Sequence, residues 1–244
     1  MGKIDFNLFM DLHNHTVWSD GADKPEDIIS NAIEHNLNMV GITDHFCHAN
    51  NRSLGFEKIK HYISKISKFR EKYCDKIEVL IGLEISYSYL LKNHEILPYD
   101  TLNKLDYILL ENLDYIPSTT RLENVGVLLN KFDCQKGLAH TDLMRLSERL
   151  QTQGGLDYVL DFVKSNELFW EINIESDHPI FFDLLQQQSN DKKTKVFIDA
   201  VKARRIPVSV GSDTHSLVHY DFGRLKRAND IARMLNLSGE EVKS

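Results

Sequence analysis

The sequence predicts an α/β domain in which seven parallel strands close into a distorted (β/α)7 barrel of the TIM type. Short apolar runs typical of strands alternate with amphipathic helical stretches along the chain, which is the pattern of a parallel sheet. The 244 residues suit one barrel, and no repeat, low-complexity tract or flexible linker divides residues 1–244 into separate domains. An open doubly wound sheet is the alternative architecture.

The predicted strands are short runs rich in apolar residues, and polar segments separate them. They lie at Leu8–Leu12, Leu37–Ile42, Glu78–Ile85, Leu105–Leu110, Lys136–Ala139, Leu168–Ile174 and Ile206–Val210. This count favours a barrel of seven strands over the more common eight.

Most of the segments between these runs have the periodicity of amphipathic helices. Pro25 suits the first position of a helix, and acidic residues fill the turn that follows it. From Phe56 to Tyr73, apolar residues recur at intervals of three and four, so that one face of the helix can pack on the sheet. The stretches that begin at Leu156, Thr194 and Arg224 have the same spacing.

Composition excludes several classes of protein. No apolar run reaches the roughly 18–20 residues of a membrane span, and the first residues lack the apolar core of a signal peptide. The cysteines Cys47, Cys74 and Cys134 form no paired motif, so we expect a reduced, cytoplasmic setting. A net charge of −7 does not favour a broad nucleic-acid surface, although it leaves room for a small phosphorylated substrate.

Polar side chains with metal-binding chemistry follow five of the seven predicted strands, in the motifs DLHNHT, GITDH, GLEIS, GLAHTD and GSDTH. The carboxyl ends of parallel barrel strands meet at one face, where active sites form. His13 and His15 are two residues apart, so in extended backbone they point to the same side, and Asp213 and His215 repeat this spacing. Imidazole and carboxylate ligands in excess of one tetrahedral site predict a multinuclear centre of Zn, Mn or Fe.

Each motif also has an ordinary structural explanation. A histidine pair can lie in a core, Thr and Asp often cap the helix after a strand, and Glu84 could be a buried ion-pair partner. The metal centre is favoured because the motifs all fall at the same end of the predicted sheet.

In this order and spacing, the five motifs resemble the polymerase and histidinol phosphatase (PHP) superfamily. The resemblance implies a seven-stranded barrel, up to three metal ions, and phosphoester hydrolysis as the usual activity. It implies one metal held by His13, His15, Glu84 and Asp213, another held by Asp20, His45 and His215, and a third shared by Glu84, His140 and one further ligand.

That further ligand is where the chain departs from the family pattern. Many members have a histidine after the fourth strand, whereas this segment reads LDYILLENLDYI. Glu111 or Asn112 could replace it, and Glu111 is taken as the candidate. Another branch of the family has a histidine shortly after the third strand, where this chain offers His94 or Glu95 out of register.

The functional hypothesis is hydrolysis of a phosphoester on a small phosphorylated metabolite by a metal-activated hydroxide. Arg145, Arg224 and Arg121 are the candidates for binding phosphate, because a guanidinium matches two phosphate oxygens. His178 and His219 follow the sixth and seventh strands, and either could donate a proton to the leaving oxygen.

Two other classes of function stay open from the sequence. The same chemistry would hydrolyse an amide, and an arginine-free apolar mouth would favour that reading. A non-catalytic binding module with this fold would fail to retain metal. Within the leading class, both a histidinol-phosphatase-like activity and a nucleotide phosphoesterase activity stay open.

Overall fold

The computed structural model of the protein describes residues 3–46, 52–175, 179–185 and 192–237. Its centre is a sheet of seven parallel strands in sequence order. The strands are β1 Met10–Asp11, β2 Met39–Ile42, β3 Glu78–Ser86, β4 Tyr107–Glu111, β5 Gln135–Ala139, β6 Leu168–Asn173 and β7 Val208–Gly211. All seven predicted strands are therefore present, with ends shifted by a few residues.

The barrel closes between its first and last strands. The Leu12 amide donates a hydrogen bond to the Val210 carbonyl at 2.8 Å, and Asn14 and Thr214 form a parallel bridge just beyond the strand ends. The predicted (β/α)7 barrel is confirmed, and the open doubly wound sheet is excluded.

The α-helices of the described residues surround the sheet. They are α1 Pro25–Glu34, α2 Ile59–Tyr73, α3 Tyr87–Asn93, α4 Tyr99–Leu102, α5 Leu122–Leu129, α6 Leu143–Arg149, α7 Gly155–Ser165, α8 Pro179–Leu185, α9 Lys192–Arg204 and α10 Phe222–Leu237. Sequence periodicity predicted α1, α2, α7, α9 and α10 but not the shorter helices α3, α4, α5, α6 and α8. Within the described ranges, none of the helices combines the length and the hydropathy that crossing a bilayer requires.

Aromatic rings fill the barrel interior below the strand ends. The Tyr107 ring packs against Phe169, with ring centroids 6.0 Å apart, and its hydroxyl donates to the Leu12 carbonyl at 2.7 Å. Gly41 and Gly82 make room for this ring, because a Cβ on Gly82 would lie 2.7 Å from its Cζ atom. The interior is thus a packed core, and the polar residues that follow the strands lie at its carboxyl-terminal end.

Candidate metal centre

The predicted metal ligands come together at the carboxyl-terminal ends of the strands. We call these nine residues the ligand cluster: His13, His15, Asp20, His45, Glu84, Glu111, His140, Asp213 and His215. Within the described residues they form four overlapping groups whose ligand atoms lie within 4.8 Å of one another. The groups are His15–Asp20–His45–His215, His13–His15–Asp213, His13–Glu84–His140 and His45–Glu84–Glu111.

Glu84 lies at the middle of the cluster, near the end of β3. Its Oε1 atom is 3.4 Å from Nε2 of His13 and 3.3 Å from Nε2 of His140. Its Oε2 atom is 3.4 Å from Nε2 of His15 and 2.8 Å from Nδ1 of His45. Burial opposes ionisation of this carboxyl, but the histidines hold its pKa well below its usual range. Each oxygen thus faces two imidazoles, which is the arrangement of a carboxylate that can bridge two cations.

His13 and His15 after β1 meet Asp213 after β7 in one part of the cluster. The Nε2 atoms of His13 and His15 are 3.0 Å apart, and both side chains are fully buried. Oδ1 of Asp213 lies 3.0 Å from Nε2 of His15 and 3.4 Å from Nε2 of His13. Three ligand atoms from opposite ends of the chain therefore converge on one point.

A more open group lies beside it. Oδ1 of Asp20 is 3.4 Å from Nε2 of His215 and 3.8 Å from Nδ1 of His15, and its Oδ2 atom is 3.7 Å from Nε2 of His45. The His215 ring stacks on His15 with centroids 4.3 Å apart, and its side chain is 43% exposed. This group gives the cluster its access to solvent.

Glu111 reaches the cluster from the end of β4, but beside a different histidine from the one that the resemblance implies. It groups with His45 and Glu84, whereas His140 groups with His13 and Glu84. The Asn112 side chain donates to Oε2 of Glu111 at 3.1 Å, which fixes the orientation of the carboxylate.

Two of the candidate ligands have strained backbones. His140 has φ of 51° and Asp213 has φ of 55°, in the left-handed region that L-residues with side chains rarely adopt. Asn112, which orients Glu111, has φ of 58°. Such conformations each cost about 1–3 kcal/mol and persist where the surrounding structure imposes them, often at functional sites.

Glu171 on β6 orients two of the histidines from below. Its Oε1 atom accepts a hydrogen bond from Nδ1 of His13 at 2.8 Å, so that Nε2 of His13 faces the cluster. Its Oε2 atom accepts from the His140 amide at 3.3 Å and from the Asn173 side chain at 3.2 Å. Carboxylates in this position fix the tautomer and the ring orientation of metal-binding histidines.

Two buried acids within the motifs, Asp11 and Asp44, support the loops instead of facing the cluster. Asp44 accepts hydrogen bonds from the amide of Thr16 at 2.8 Å and from the Ser19 hydroxyl at 2.6 Å, which shapes the loop before Asp20. Asp11 accepts from the Ser212 amide at 2.8 Å, and burial raises its pKa to about 6. Sequence reasoning missed both roles; their position inside the motifs DLHNHT and GITDH was the available signal.

Arg145 is the predicted phosphate-binding arginine with the most defined surroundings. Its guanidinium lies over the Tyr115 ring, 4.2 Å from the centroid, and its Nε atom is 3.8 Å from Oδ2 of the buried Asp114. Its side chain is 40% exposed, so it can still turn toward a ligand.

The remaining predicted site residues lie away from these contacts. Arg121 precedes α5, where its charge acts on Glu123, and Arg224 is exposed in the first turn of α10. His219 is exposed in the short turn Leu217–His219. None of these three side chains hydrogen-bonds to the cluster in the described part of the chain. His178 lies outside the described residues.

Asp114→Asn is expected to stabilise the protein at high pH. Burial raises the pKa of Asp114 from 3.8 to about 6, with the charge of Arg145 opposing the shift. The folded state therefore binds a proton more tightly than the unfolded state, and stability falls as the pH rises between these values. We expect a gain of about 1–2 kcal/mol in the free energy of unfolding at pH 8, shrinking to a few tenths at pH 4.

Urea unfolding at both pH values measures this effect, with Asp199→Asn on the exposed face of α9 as the control. An equal gain at pH 4 and pH 8 would show that the Asp114 charge is not what costs stability.

Comparisons with known proteins support the sequence resemblance. The family model of the PHP domain matches residues 11–193. No curated protein sequence matches the chain. Among solved structures, histidinol phosphate phosphatase from Lactococcus lactis, complexed with zinc, L-histidinol and phosphate, has a TM-score of 0.61 at 17% identity, with 93% of each chain covered.

A second similar structure comes from a pair described as unique metal-dependent tyrosine phosphatases, YwqE from Bacillus subtilis and CpsB from Streptococcus pneumoniae. It has a TM-score of 0.50 at 19% identity and covers 93% of this chain and 84% of that chain. At these identities the likenesses show a shared fold. The family model spans well over half of the sequence, and the chain belongs to the PHP domain family.

Proposed function

We propose that the protein is a metal-dependent phosphoesterase that hydrolyses a small phosphorylated metabolite. The observation that carries the proposal is the position of Glu84, whose two buried oxygens each face two histidines at 2.8–3.4 Å. Family membership and the fold shared with metal-dependent phosphatases support it.

The donor atoms fit divalent cations. Both oxygens of Glu84, Oδ1 of Asp213, Oδ1 of Asp20 and Nδ1 of His15 are buried and have no hydrogen-bond partner in the described structure. Buried carboxylates that lack donors are costly, and bound cations would offset that cost. Nitrogen and oxygen ligands suit Zn, Mn or Fe, and nine candidates are enough for two to three ions.

The overlapping groups suggest how the ions would be held. His13, His15 and Asp213 would hold one ion, and Asp20, His45 and His215 would hold another. Glu84 would join these positions and, with Glu111 or His140, complete a third. When bound, such ions lower the pKa of a coordinated water toward neutrality and offset the charge of the phosphoryl group.

The protein's own residues orient the reaction. Glu171 holds His13 in the tautomer that directs Nε2 toward the cluster. Arg145 would bind phosphoryl oxygens, because a guanidinium matches two of them, and such a contact would favour a phosphate ester over an amide. In the reaction the water oxygen bonds to phosphorus, the ester P–O bond breaks, and the alcohol leaves with a proton. Arg121, Arg224, His178 and His219 stay predictions.

Purified without chelator, the protein is expected to hold two or three divalent ions per chain and to hydrolyse p-nitrophenyl phosphate or its bis-ester with added Mn or Zn. His45→Ala and Asp213→Ala should each lower hydrolysis by about a hundredfold or more, because each removes a ligand. Elemental analysis and the release of nitrophenol measure both quantities.

His35→Ala is the matched control, since His35 is the C-cap of α1 and belongs to none of the ligand groups. Fewer than one ion per chain, together with no turnover under any added metal, would contradict the proposal. The protein would then be a non-catalytic binding module with the fold of the family.

A further inference from the structure

A groove of about 380 Å³ opens between the segments that follow β3 and β4. We call it the Tyr115 groove. Its lining includes Tyr87, Leu91, Lys92, Glu111, Tyr115 and Ile116. Its size falls within the range of about 300–1,000 Å³ that pockets for small molecules have.

The inner end of the groove is part of the ligand cluster. Glu111 lines the groove and also lies in the group with His45 and Glu84. A molecule in the groove therefore has one end at the point where the reaction would take place. The rest of the lining comes from α3 and from the segment after β4 that includes Tyr115 and Ile116.

The walls of the groove are apolar and held in place. Tyr115 is 53% exposed and Leu91 is 49% exposed. A bound ligand would therefore bury apolar surface on both side chains. The Arg145 guanidinium lies over the Tyr115 ring, 4.2 Å from its centroid. The Ile116 carbonyl accepts two hydrogen bonds from Arg149, at 3.1 and 2.9 Å. A ligand would thus meet a wall that is already ordered, which reduces the entropy cost of binding.

The groove also has a defined charge. Lys92, at the end of α3, is exposed and forms no ion pair with the residues that the structure describes. Glu111 is the acid of the lining, and it faces the cluster at the inner end. A ligand with its phosphate at the cluster would therefore place its outer end near a positive charge.

We infer that the Tyr115 groove binds the alcohol part of the substrate, and that the preferred substrate is the phosphate monoester of an aromatic alcohol that bears a negative charge away from the phosphate. This inference rests on the proposed function. Tyr87 and Tyr115 favour an aromatic ring through ring–ring contacts, and Lys92 favours an anionic substituent. The ester P–O bond breaks, water supplies the oxygen that bonds to phosphorus, and the phenol takes up the remaining proton.

The test compares 4-carboxyphenyl phosphate with 4-(aminomethyl)phenyl phosphate in the metal-loaded enzyme. Lys92→Glu is expected to lower the ratio of their kcat/KM values by about thirtyfold, because it reverses the charge that faces the substituent. The ratio between variants cancels the intrinsic reactivity of each ester. Lys104→Glu makes the same change of charge in the turn before β4, at the other end of the barrel, and should leave the ratio within twofold.

Tyr115→Ala should lower kcat/KM for phenyl phosphate about tenfold relative to glycerol 3-phosphate, whereas Tyr115→Phe should keep the ratio. An unchanged metal content shows that the variants leave the cluster intact. Hydrolysis with equal ratios in Lys92→Glu and Lys104→Glu would overturn the inference and leave the proposed function standing. Failure of the metal-loaded enzyme to hydrolyse any of these monoesters, although it hydrolyses the bis-ester of p-nitrophenol, would overturn this inference alone. Failure with the monoesters and with the bis-ester would overturn both.

Discussion

Replacing Glu84 by glutamine is expected to reduce bound metal to one ion per chain or less and to lower hydrolysis on the order of a thousandfold. The two oxygens of Glu84 each face two histidines, so Glu84 would be a ligand shared between the candidate ion positions. A glutamine keeps the shape of the side chain. It replaces one oxygen with an NH2 group, which cannot bind a cation, and it removes the negative charge.

The control for this substitution lies on the same strand. Glu78→Gln makes the same chemical change at the exposed first residue of β3, far from the cluster, and should leave both metal content and activity unchanged. Elemental analysis, isothermal titration with Mn or Zn and a hydrolysis assay give three independent readouts. If Glu84→Gln retained its full complement of metal, the bridging role of Glu84 would be wrong.

The location of the cluster could be predicted from the sequence because the barrel imposes it. Once the strands are known to be parallel, residues that follow different strands must meet at one face. His13 and Asp213 lie far apart in the chain, yet Nε2 of His13 is 3.4 Å from Oδ1 of Asp213 in the structure. The two-residue spacing of His13 and His15 likewise follows from extended backbone geometry.

The pairing of ligands within the cluster could not be predicted in the same way. Glu111 and His140 follow neighbouring strands, and the sequence alone gives no reason for Glu111 to lie beside His45. The backbone is also left-handed at Asn112 and His140, which strand periodicity does not reveal. Residue spacing specifies the face of a strand but not the turn that ends it.

Sequence patterns also do not separate carboxylates that face a cavity from those that hold a loop. Asp44 and His45 are adjacent in one motif, but Asp44 accepts hydrogen bonds from Thr16 and Ser19 while His45 faces Glu84. The contact of Arg145 with Tyr115 joins a turn after β4 to helix α6. It depends on how these two segments pack in three dimensions, which residue patterns in a single sequence do not predict.

Gly211→Ala is expected to disturb the cluster without removing any ligand. A Cβ on Gly211 would lie 2.2 Å from Oε1 of Glu171 and 2.5 Å from Cβ of His13. Glu171 holds His13 and the His140 amide through hydrogen bonds, so its carboxylate cannot move away without releasing both. The Cβ atom of His13 is fixed to the backbone beside β7. The added methyl group must therefore displace one of these residues.

Overpacking of this kind costs about 1–3 kcal/mol, and we expect Gly211→Ala to lose about 2 kcal/mol in the free energy of unfolding, measured with urea in the presence of a chelator. A displacement near 1 Å at His13 should lower hydrolysis by about a hundredfold when metal is restored. Gly223→Ala is the matched control, since its Cβ would meet Oδ1 of Asp221 at 3.3 Å in α10, where alanine favours the helix. Equal stability and activity for the two alanine variants would mean that Glu171 can move aside without a cost in free energy. It would also mean that the orientation of His13 does not depend on the close approach of β7.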